Sequence, residues 1–263
     1  MNIDWDALVK TYDVRGLVGT ALTTEIVTAL AAGFVDELGA AGQDVVVGHD
    51  MRDSSPEFAD AFAIGAQARG ANVVSIGLCS TDESYFASGI FNAPAAMFTA
   101  SHNPAAYNGI KFSRAGARGI SLDTGLAAIR DRAKVYLAEG LEEVETPGSF
   151  REERILVRYA SYLREMVNLD NIRPLRVVVD AANGMGGMTV PAVLGTGTDV
   201  ERVTLELSVK AFAVRAPYSA APLSLLPETG VERWSQDQKT GVALIAVGLG
   251  FLMLSFRRRA HQQ

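Results

Sequence analysis

The sequence predicts an α/β fold: a three-layer α/β/α domain with a mostly parallel sheet, a partial second α/β unit and a C-terminal apolar helix. Short, continuously apolar runs such as DVVVG at 44–48 alternate with amphipathic stretches. Strands that are apolar on both faces belong to parallel sheets covered by helices on both sides. With 48% hydrophobic and 21% charged residues, the chain also has enough apolar material for a packed core.

Helix starts and apolar spacing place the individual elements. From Ile26 to Leu38 an apolar residue recurs every fourth position behind Thr23, which is the spacing of one face of an amphipathic helix. Similar signals predict helices at 23–40, 54–70, 82–89, 123–139 and 150–167 and one ending near 194, with strands at 44–48, 72–77, 95–99, 175–180 and 203–207.

Charge and composition divide the chain further. We predict a first domain over 1–148, a linker helix and the start of a second domain over 149–207, a low-order linker over 208–230, and an apolar helix with a basic tail over 231–263. Residues 231–263 carry a net charge of +3 in a chain of net charge −6. The acidic remainder does not favour nucleic-acid binding.

The cysteine content and the N-terminus indicate a compartment. The single cysteine, Cys79, excludes an internal disulfide and a cysteine-rich zinc site. The first ten residues lack the basic and then apolar order of a secretory signal. We therefore expect a cytoplasmic α/β domain.

The stretch TASHNPAAYNGIK at 99–111 contains the first candidate site. It follows a predicted strand, and α/β proteins place their sites at the carboxyl ends of strands. Asn-Pro and Asn-Gly pairs at 103–104 and 108–109 predict two turns that bring Lys111 back toward Ser101. A hydroxyl beside the imidazole of His102 and this ammonium is suited to phosphate. Ser101 and His102 are adjacent, which is a poor arrangement for a hydrolase triad.

A second candidate site is YDVRG at 12–16, where Arg15 offers a planar donor fork to phosphate oxygens. Simpler interpretations stay open at this point. A lone S-H-N-P sequence is typical of a turn without chemistry, and an isolated arginine is usually a solvated charge. His49 is more typical of a loop residue than of a ligand.

Together, four motifs point to one family. They are YDVRG at 12–16, GHDMRDSSP at 48–56, TASHNPAAYNGIKF at 99–112 and VVVDAANGMGG at 177–187. The series resembles the α-D-phosphohexomutase superfamily, in its bacterial phosphomannomutase/phosphoglucomutase branch, over about residues 8–207.

The resemblance implies an isomerase that moves a phosphoryl group between positions 1 and 6 of a hexose phosphate through a phosphoserine. Ser101 would be donor and acceptor, with hexose phosphate and hexose bisphosphate as substrates. His102 and Lys111 would assist proton movement and charge at the serine oxygen, Arg15 would steady the phosphoserine, and Tyr12 would bind substrate. Whether mannose or glucose phosphate is preferred stays open.

The family also implies Mg²⁺, bound to the phosphate on Ser101 and to a D-G-D-x-D-R loop of the second domain. That loop is not present in this sequence. Third and fourth domains, which recognise the sugar and its distal phosphate, are not present either. We therefore expect a truncated chain that is not a competent mutase alone; whether another chain supplies the missing domains stays open.

The C-terminal tail has features of a surface-anchored protein. LPETG at 226–230 (Leu226, Pro227, Glu228, Thr229 and Gly230) precedes an apolar run at 241–256 and a basic end at 257–259. This order resembles the sorting signal of Gram-positive surface proteins and predicts a sortase partner and membrane insertion of 241–256, although sixteen helical residues span only about 24 Å. The alternative function is an anchored surface protein with a non-catalytic α/β domain.

Sorting requires export, and no export signal is visible. Three explanations remain for the tail: a genuine fusion, a reading frame shifted after Leu207, or two genes joined in error.

Overall fold

The computed structural model describes residues 3–167, 177–195, 240–247 and 250–257. The helices are α1 (Trp5–Leu8), α2 (Thr24–Leu38), α3 (Ser55–Ala68), α4 (Thr81–Ile90), a 3₁₀ turn (Leu122–Thr124), α5 (Leu126–Glu139), α6 (Leu156–Val167) and α7 (Gly186–Leu194). The strands are β1 (Val14–Leu17), β2 (Asp44–His49), β3 (Asn72–Leu78), β4 (Ala95–Phe98), β5 (Tyr107–Arg114), β6 (Arg118–Gly119), β7 (Phe150–Glu152), β8 (Val177–Asp180), β9 (Thr240–Val247) and β10 (Gly250–Arg257).

The main sheet has the strand order β1-β5-β4-β2-β3-β7, with β6 paired to β5. Strands β4, β2, β3 and β7 are parallel neighbours. Strand β5 runs against both β4 and β1, so β1 has the direction of the parallel group. The prediction of a mostly parallel sheet is confirmed.

Helices cover both faces of this sheet. Alternate residues of β2 point to opposite sides: Val45 and Val47 join the larger apolar cluster with α2, α3 and α5, whereas Val46 joins the smaller cluster with α4. Phe34 and Phe62, both fully buried, meet edge to face at the centre of the larger cluster, with ring centroids 5.6 Å apart. The predicted three-layer arrangement is therefore present.

Local signals explain where most helices begin and end. Thr23 caps α2, its side chain accepting from the Ile26 N–H, and Gly39 ends that helix in the left-handed region. Pro56 lies in the first turn of α3, and Ser80 with Glu83 forms a capping box at α4. These helices match the predicted ones.

The predicted helix at 150–167 begins later than expected. Phe150–Glu152 forms β7, a parallel edge strand on β3, and α6 starts only at Leu156. Arg151 holds this strand by donating two hydrogen bonds to the Asp44 carboxylate, at 2.9 and 2.6 Å. Pairing with a distant strand overrides the helical pattern in these three residues.

The second unit contains the predicted strand β8 and helix α7. The predicted C-terminal apolar helix is wrong, because Thr240–Val247 and Gly250–Arg257 form antiparallel strands and β10 also pairs with β8. Glycines at 248 and 250 interrupt the apolar run, and its valine, isoleucine and phenylalanine residues favour strands. In the described residues no helix has the length and apolarity to cross a membrane.

Other predictions fall outside the described ranges. They are the strand at 203–207, the linker at 208–230 and the LPETG sequence that it contains. The sorting signal and the sortase partner therefore stay predictions, and the described residues 240–247 and 250–257 do not form the helix on which membrane insertion depended.

Candidate active site

The site lies at one edge of the sheet, where two parallel strands end. Strands β2 and β4 are neighbours, so the segments after them, 50–54 and 99–106, leave the sheet on the same side. The second segment, which we call the serine loop (residues 99–106), connects β4 to β5. It contains Ser101, the predicted phosphoryl acceptor.

Ser101 has an unusual backbone conformation. Its φ is +56°, in the left-handed region, where a residue with a Cβ pays about 1 kcal/mol or more. The Ser101 N–H donates to Thr99 Oγ1 at 3.1 Å. The side chain is half-buried, and Ser101 Oγ lies 3.2 Å from Nδ1 of the exposed His102. The hydroxyl is thus within reach of both solvent and a proton acceptor.

Two hydrogen bonds fold the serine loop. The Asn103 N–H donates to the Ala100 carbonyl, and the Tyr107 N–H donates to the Pro104 carbonyl, both at 3.0 Å. Asn103 closes the first of these turns and Pro104 begins the second, so the predicted turn at 103–104 is replaced by two turns that meet at this pair. The predicted turn at 108–109 is wrong, because both residues lie inside β5. A Cβ on Gly109 would approach the Val14 carbonyl oxygen to 2.3 Å, so glycine is needed here for close strand approach.

Arg52 binds the serine loop from beneath. Its Nη1 donates to the carbonyls of Pro104 and Tyr107 at 3.0 and 2.9 Å. Its Nη2 donates to the carbonyls of Ser101 and Asn103 at 3.0 and 2.7 Å. One guanidinium group therefore joins four backbone carbonyls around the loop.

A buried polar network supports Arg52. The Asp50 carboxylate accepts from the Arg52 N–H at 3.0 Å and from Ser55 Oγ at 2.6 Å. Its second oxygen lies 3.5 Å from Arg52 Nε. Fully buried Asn108, on β5, donates to Ser54 Oγ and Ser55 Oγ at 2.8 and 2.9 Å. The segment after β2 and the start of β5 are thus tied together under the loop.

Two cations share one carboxylate beside the loop. Asp13 Oδ2 lies 2.6 Å from Arg15 Nη2 and 3.7 Å from Lys111 Nζ. Val14 and Ile110, which are paired across β1 and β5, point into the larger core. Because strand side chains alternate, Arg15 and Lys111 extend from the opposite face. The group carries a net charge of +1, which favours an anion.

The serine loop and this charged group are joined by one side chain. Arg15 Nη1 donates to Asn103 Oδ1 at 2.7 Å. One concave surface, which encloses a cavity of about 950 Å³, is lined by Arg15, Asn103 and Lys111. Tyr12 also lines it and is 71% exposed. Ser101 and His102 lie outside this lining. Lys111 is paired with Asp13, and its predicted contact with the serine hydroxyl is not made.

The described residues do not form a magnesium site by themselves. No three of their histidine, cysteine, aspartate or glutamate side chains converge as metal ligands. Asp13, the carboxylate of the charged group, is already bound by two cations. Mg²⁺ usually takes carboxylate and phosphate oxygens in octahedral geometry, so this part of the chain offers too few free carboxylates, and no step below uses the ion.

Comparison with known proteins gives the family. Residues 6–137 match the family model of phosphoglucomutase/phosphomannomutase, alpha/beta/alpha domain I. The chain belongs to this mutase family. Phosphohexose mutases of Xanthomonas campestris pv. campestris (strain B100) are 38% identical over 182 residues, 69% of this chain and 40% of the relative.

Two further similar proteins support the same family assignment. A phosphomannomutase of Vibrio cholerae serotype O1 is 32% identical over 232 residues, 83% of this chain and 48% of that protein. The crystal structure of a phosphoglucomutase/phosphomannomutase family protein from Burkholderia thailandensis superposes with a TM-score of 0.61 at 30% identity, covering 73% of this chain and 43% of that one. The chain therefore spans under half the length of these relatives.

Sequence reasoning missed the residues beneath the serine loop. Asp50, Arg52 and Asn108 lie there, and Asp13 lies beside the loop in the charged group; none of the four is a predicted site residue. A usable signal existed, since Asp50 and Arg52 directly follow a predicted buried strand at the edge where sites form. His49, expected to be a loop residue, is the last residue of β2, with Nδ1 2.9 Å from the Asp50 carbonyl oxygen.

Proposed function

We propose that this chain is the phosphoserine domain of a phosphohexomutase, in which Ser101 accepts and returns the phosphoryl group of a hexose phosphate. The observation that carries the proposal is the position of Ser101. It lies half-buried on a left-handed turn, 3.2 Å from a histidine nitrogen, in a loop whose Asn103 side chain accepts a hydrogen bond from Arg15 of the charged group. Phosphoryl transfer asks a protein mainly for such positioning and charge compensation.

The residues have separate roles in the transfer. Ser101 Oγ attacks the phosphorus of a hexose bisphosphate, and its proton passes to His102 Nδ1. A bond forms between Oγ and phosphorus as the bond from phosphorus to the sugar oxygen breaks, and the freed oxygen takes up a proton. The phosphoserine then transfers its phosphoryl group to the free hydroxyl of a hexose monophosphate. The bisphosphate formed in this way returns the phosphoryl group of its other position to Ser101, which completes the exchange between positions 1 and 6.

The charged group acts on the phosphate oxygens. Arg15 presents two nitrogens that already hold Asn103 and Asp13, which fixes its orientation toward the concave surface. Lys111 adds a flexible point charge. Tyr12, exposed at the rim, is placed to contact the sugar.

We also propose that the chain alone accepts a phosphoryl group slowly and does not turn over as a mutase. The D-G-D-x-D-R sequence expected from the family is not present in the 263 residues. Without a full set of groups to neutralise the transferring phosphoryl, most of the electrostatic catalysis is lost.

Intact-mass measurement tests the acceptor directly. Incubating the purified chain with hexose 1,6-bisphosphate should add about 80 Da, the mass of one phosphoryl group. Ser101→Ala should abolish the adduct. Ser161→Ala, at an exposed helical position, is the matched control and should behave like the wild type.

The outcomes separate the alternatives. An adduct that persists in Ser101→Ala would refute the assignment of the acceptor, and no adduct in the wild type would favour the non-catalytic surface protein. A coupled mutase assay tests inactivity: turnover comparable with that of full-length relatives would contradict it.

A further inference from the structure

We propose that Arg52 is the positioning residue of the phosphoserine, acting through the four carbonyls of residues 101, 103, 104 and 107 rather than through contact with substrate. This inference rests on the proposed function. The guanidinium is nearly buried, with 10% of the side chain exposed, and lies beneath the loop. It does not line the concave surface that holds Arg15 and Lys111.

The geometry of the contact requires arginine. Both terminal nitrogens donate to two carbonyls each, at distances between 2.7 and 3.0 Å. A guanidinium presents such donors in a rigid plane, whereas a lysine ammonium is a compact point charge with three donors. Lysine at this position would keep the charge and lose the planar fork.

The hydrogen bond from Arg52 to the Ser101 carbonyl links Arg52 to the phosphoryl group. A trans peptide is planar, with its C=O and the following N–H pointing in opposite directions. Since Arg52 holds the Ser101 carbonyl, the His102 N–H points away from Arg52. Within the described ranges this N–H donates to no protein acceptor. It is therefore free to donate to an oxygen of a phosphoryl group on Ser101.

The same contacts stabilise the left-handed turn. Backbone strain at Ser101 persists only where the surroundings hold it. Nearby restraints are the Thr99 hydroxyl on the Ser101 N–H and the Asn103 side chain on Arg15. Arg52 is the group that bonds both the Ser101 and the Asn103 carbonyls, so it couples the serine to the residue that orients Arg15.

Hydrogen exchange on the full chain tests the positioning without any phosphoryl chemistry. In Arg52→Lys the amides of Ser101, Asn103 and Tyr107 should exchange at least about tenfold faster, while those of 45–47 in β2 keep their protection. The control is Arg118→Lys, an exposed arginine that donates to one local carbonyl. It should leave all of these amides unchanged.

Phosphorylation provides the second measurement. Adduct formation from hexose 1,6-bisphosphate should slow about 100-fold in Arg52→Lys, the effect of a misplaced reacting group, and should not slow in Arg118→Lys. In a ³¹P titration the second pKa of the phosphoserine should be higher in Arg52→Lys, because a donor to the dianion is lost. A purely structural arginine would not move that pKa.

The results distinguish the two proposals. Wild-type protein that accepts no phosphoryl group refutes the proposed function, and the exchange experiment still decides the role of Arg52. Loop exchange and phosphorylation rates equal to the wild type in Arg52→Lys would overturn the positioning role. If that variant loses protection throughout the chain, Arg52→Gln, whose shorter amide cannot bond all four carbonyls, replaces it; an unchanged loop in Arg52→Gln would also overturn the proposal.

Discussion

The two parts of the site are built differently. The serine loop is held by a nearly buried arginine and by backbone carbonyls, over a network that reaches fully buried Asn108. The charged group consists of side chains at a partly open surface, with Lys111 29% exposed. The groups that fix the shape of the serine loop are buried from water, whereas the groups that supply positive charge lie where an anion can enter. Substitutions in the two parts should therefore have separable effects on stability and on phosphoryl transfer.

The largest effect is expected in the charged group. Lys111→Ala should slow formation of the phosphoserine adduct about 100-fold, because it removes one of the two cations that we propose act on the phosphate oxygens. The free energy of unfolding should change by less than about 1 kcal/mol, since the lost ion pair is partly solvated. Intact-mass kinetics and urea unfolding measure the two quantities.

Lys134→Ala is the control for this prediction. That lysine pairs with Asp131 on the exposed side of α5, away from the loop, and its loss should leave adduct kinetics at the wild-type level. A Lys111→Ala variant that unfolds early would show that the charged group also holds the fold, and the contrast between the two parts would fail.

Substitutions beneath the serine loop should mainly lower stability and should slow phosphoryl transfer less than Lys111→Ala does. Asn108→Ala should lower the free energy of unfolding by about 1–3 kcal/mol, because the buried Ser55 hydroxyl and the half-buried Ser54 hydroxyl lose a hydrogen-bond donor. Adduct formation should slow as well, since the support of the serine loop is weakened. The comparison is Asn72→Ala, which also removes several hydrogen bonds but lies at the β3–β7 side of the sheet.

Asn72→Ala should lower stability without slowing the adduct. Equal slowing in both asparagine variants would mean that general stability, and not local support of the loop, controls the reaction.

The smallest effect is expected for an ion pair outside both parts. The hydrogen bonds from Arg151 lower the pKa of Asp44 below its ordinary value of 3.8. A carboxylate with a lowered pKa stabilises the folded state above its unfolded pKa, and this contribution is lost as the pH falls through the folded pKa. Asp44→Asn should therefore cost about 0.5 kcal/mol at neutral pH, as for other solvent-exposed pairs.

Urea unfolding of wild type and Asp44→Asn between pH 7 and pH 3 measures this difference. The difference in the free energy of unfolding between the two proteins should shrink as the pH falls toward 3. A gap that persists unchanged would assign the stabilisation to the shape of the side chain at the β7 edge and not to its charge.

The sequence alone determined the layered fold and the position of the serine loop. Helix caps at Thr23 and Ser80 and continuous apolar strands are local signals, and they act within a few residues of where they are read. The four motifs also placed the chain in its family, which the matched domain at 6–137 supports.

Tertiary structure decided the rest, because those features depend on partners distant in the chain. Gly109 lies in a strand and not in a turn since β1, about ninety positions earlier, packs against it. Phe150–Glu152 became a strand by pairing with β3, and the apolar tail formed strands by pairing with β8. Arg52 reaches carbonyls some fifty residues away. Hydrogen bonds between distant segments leave no periodic pattern in the sequence, so only the assembled sheet shows which donors meet which acceptors.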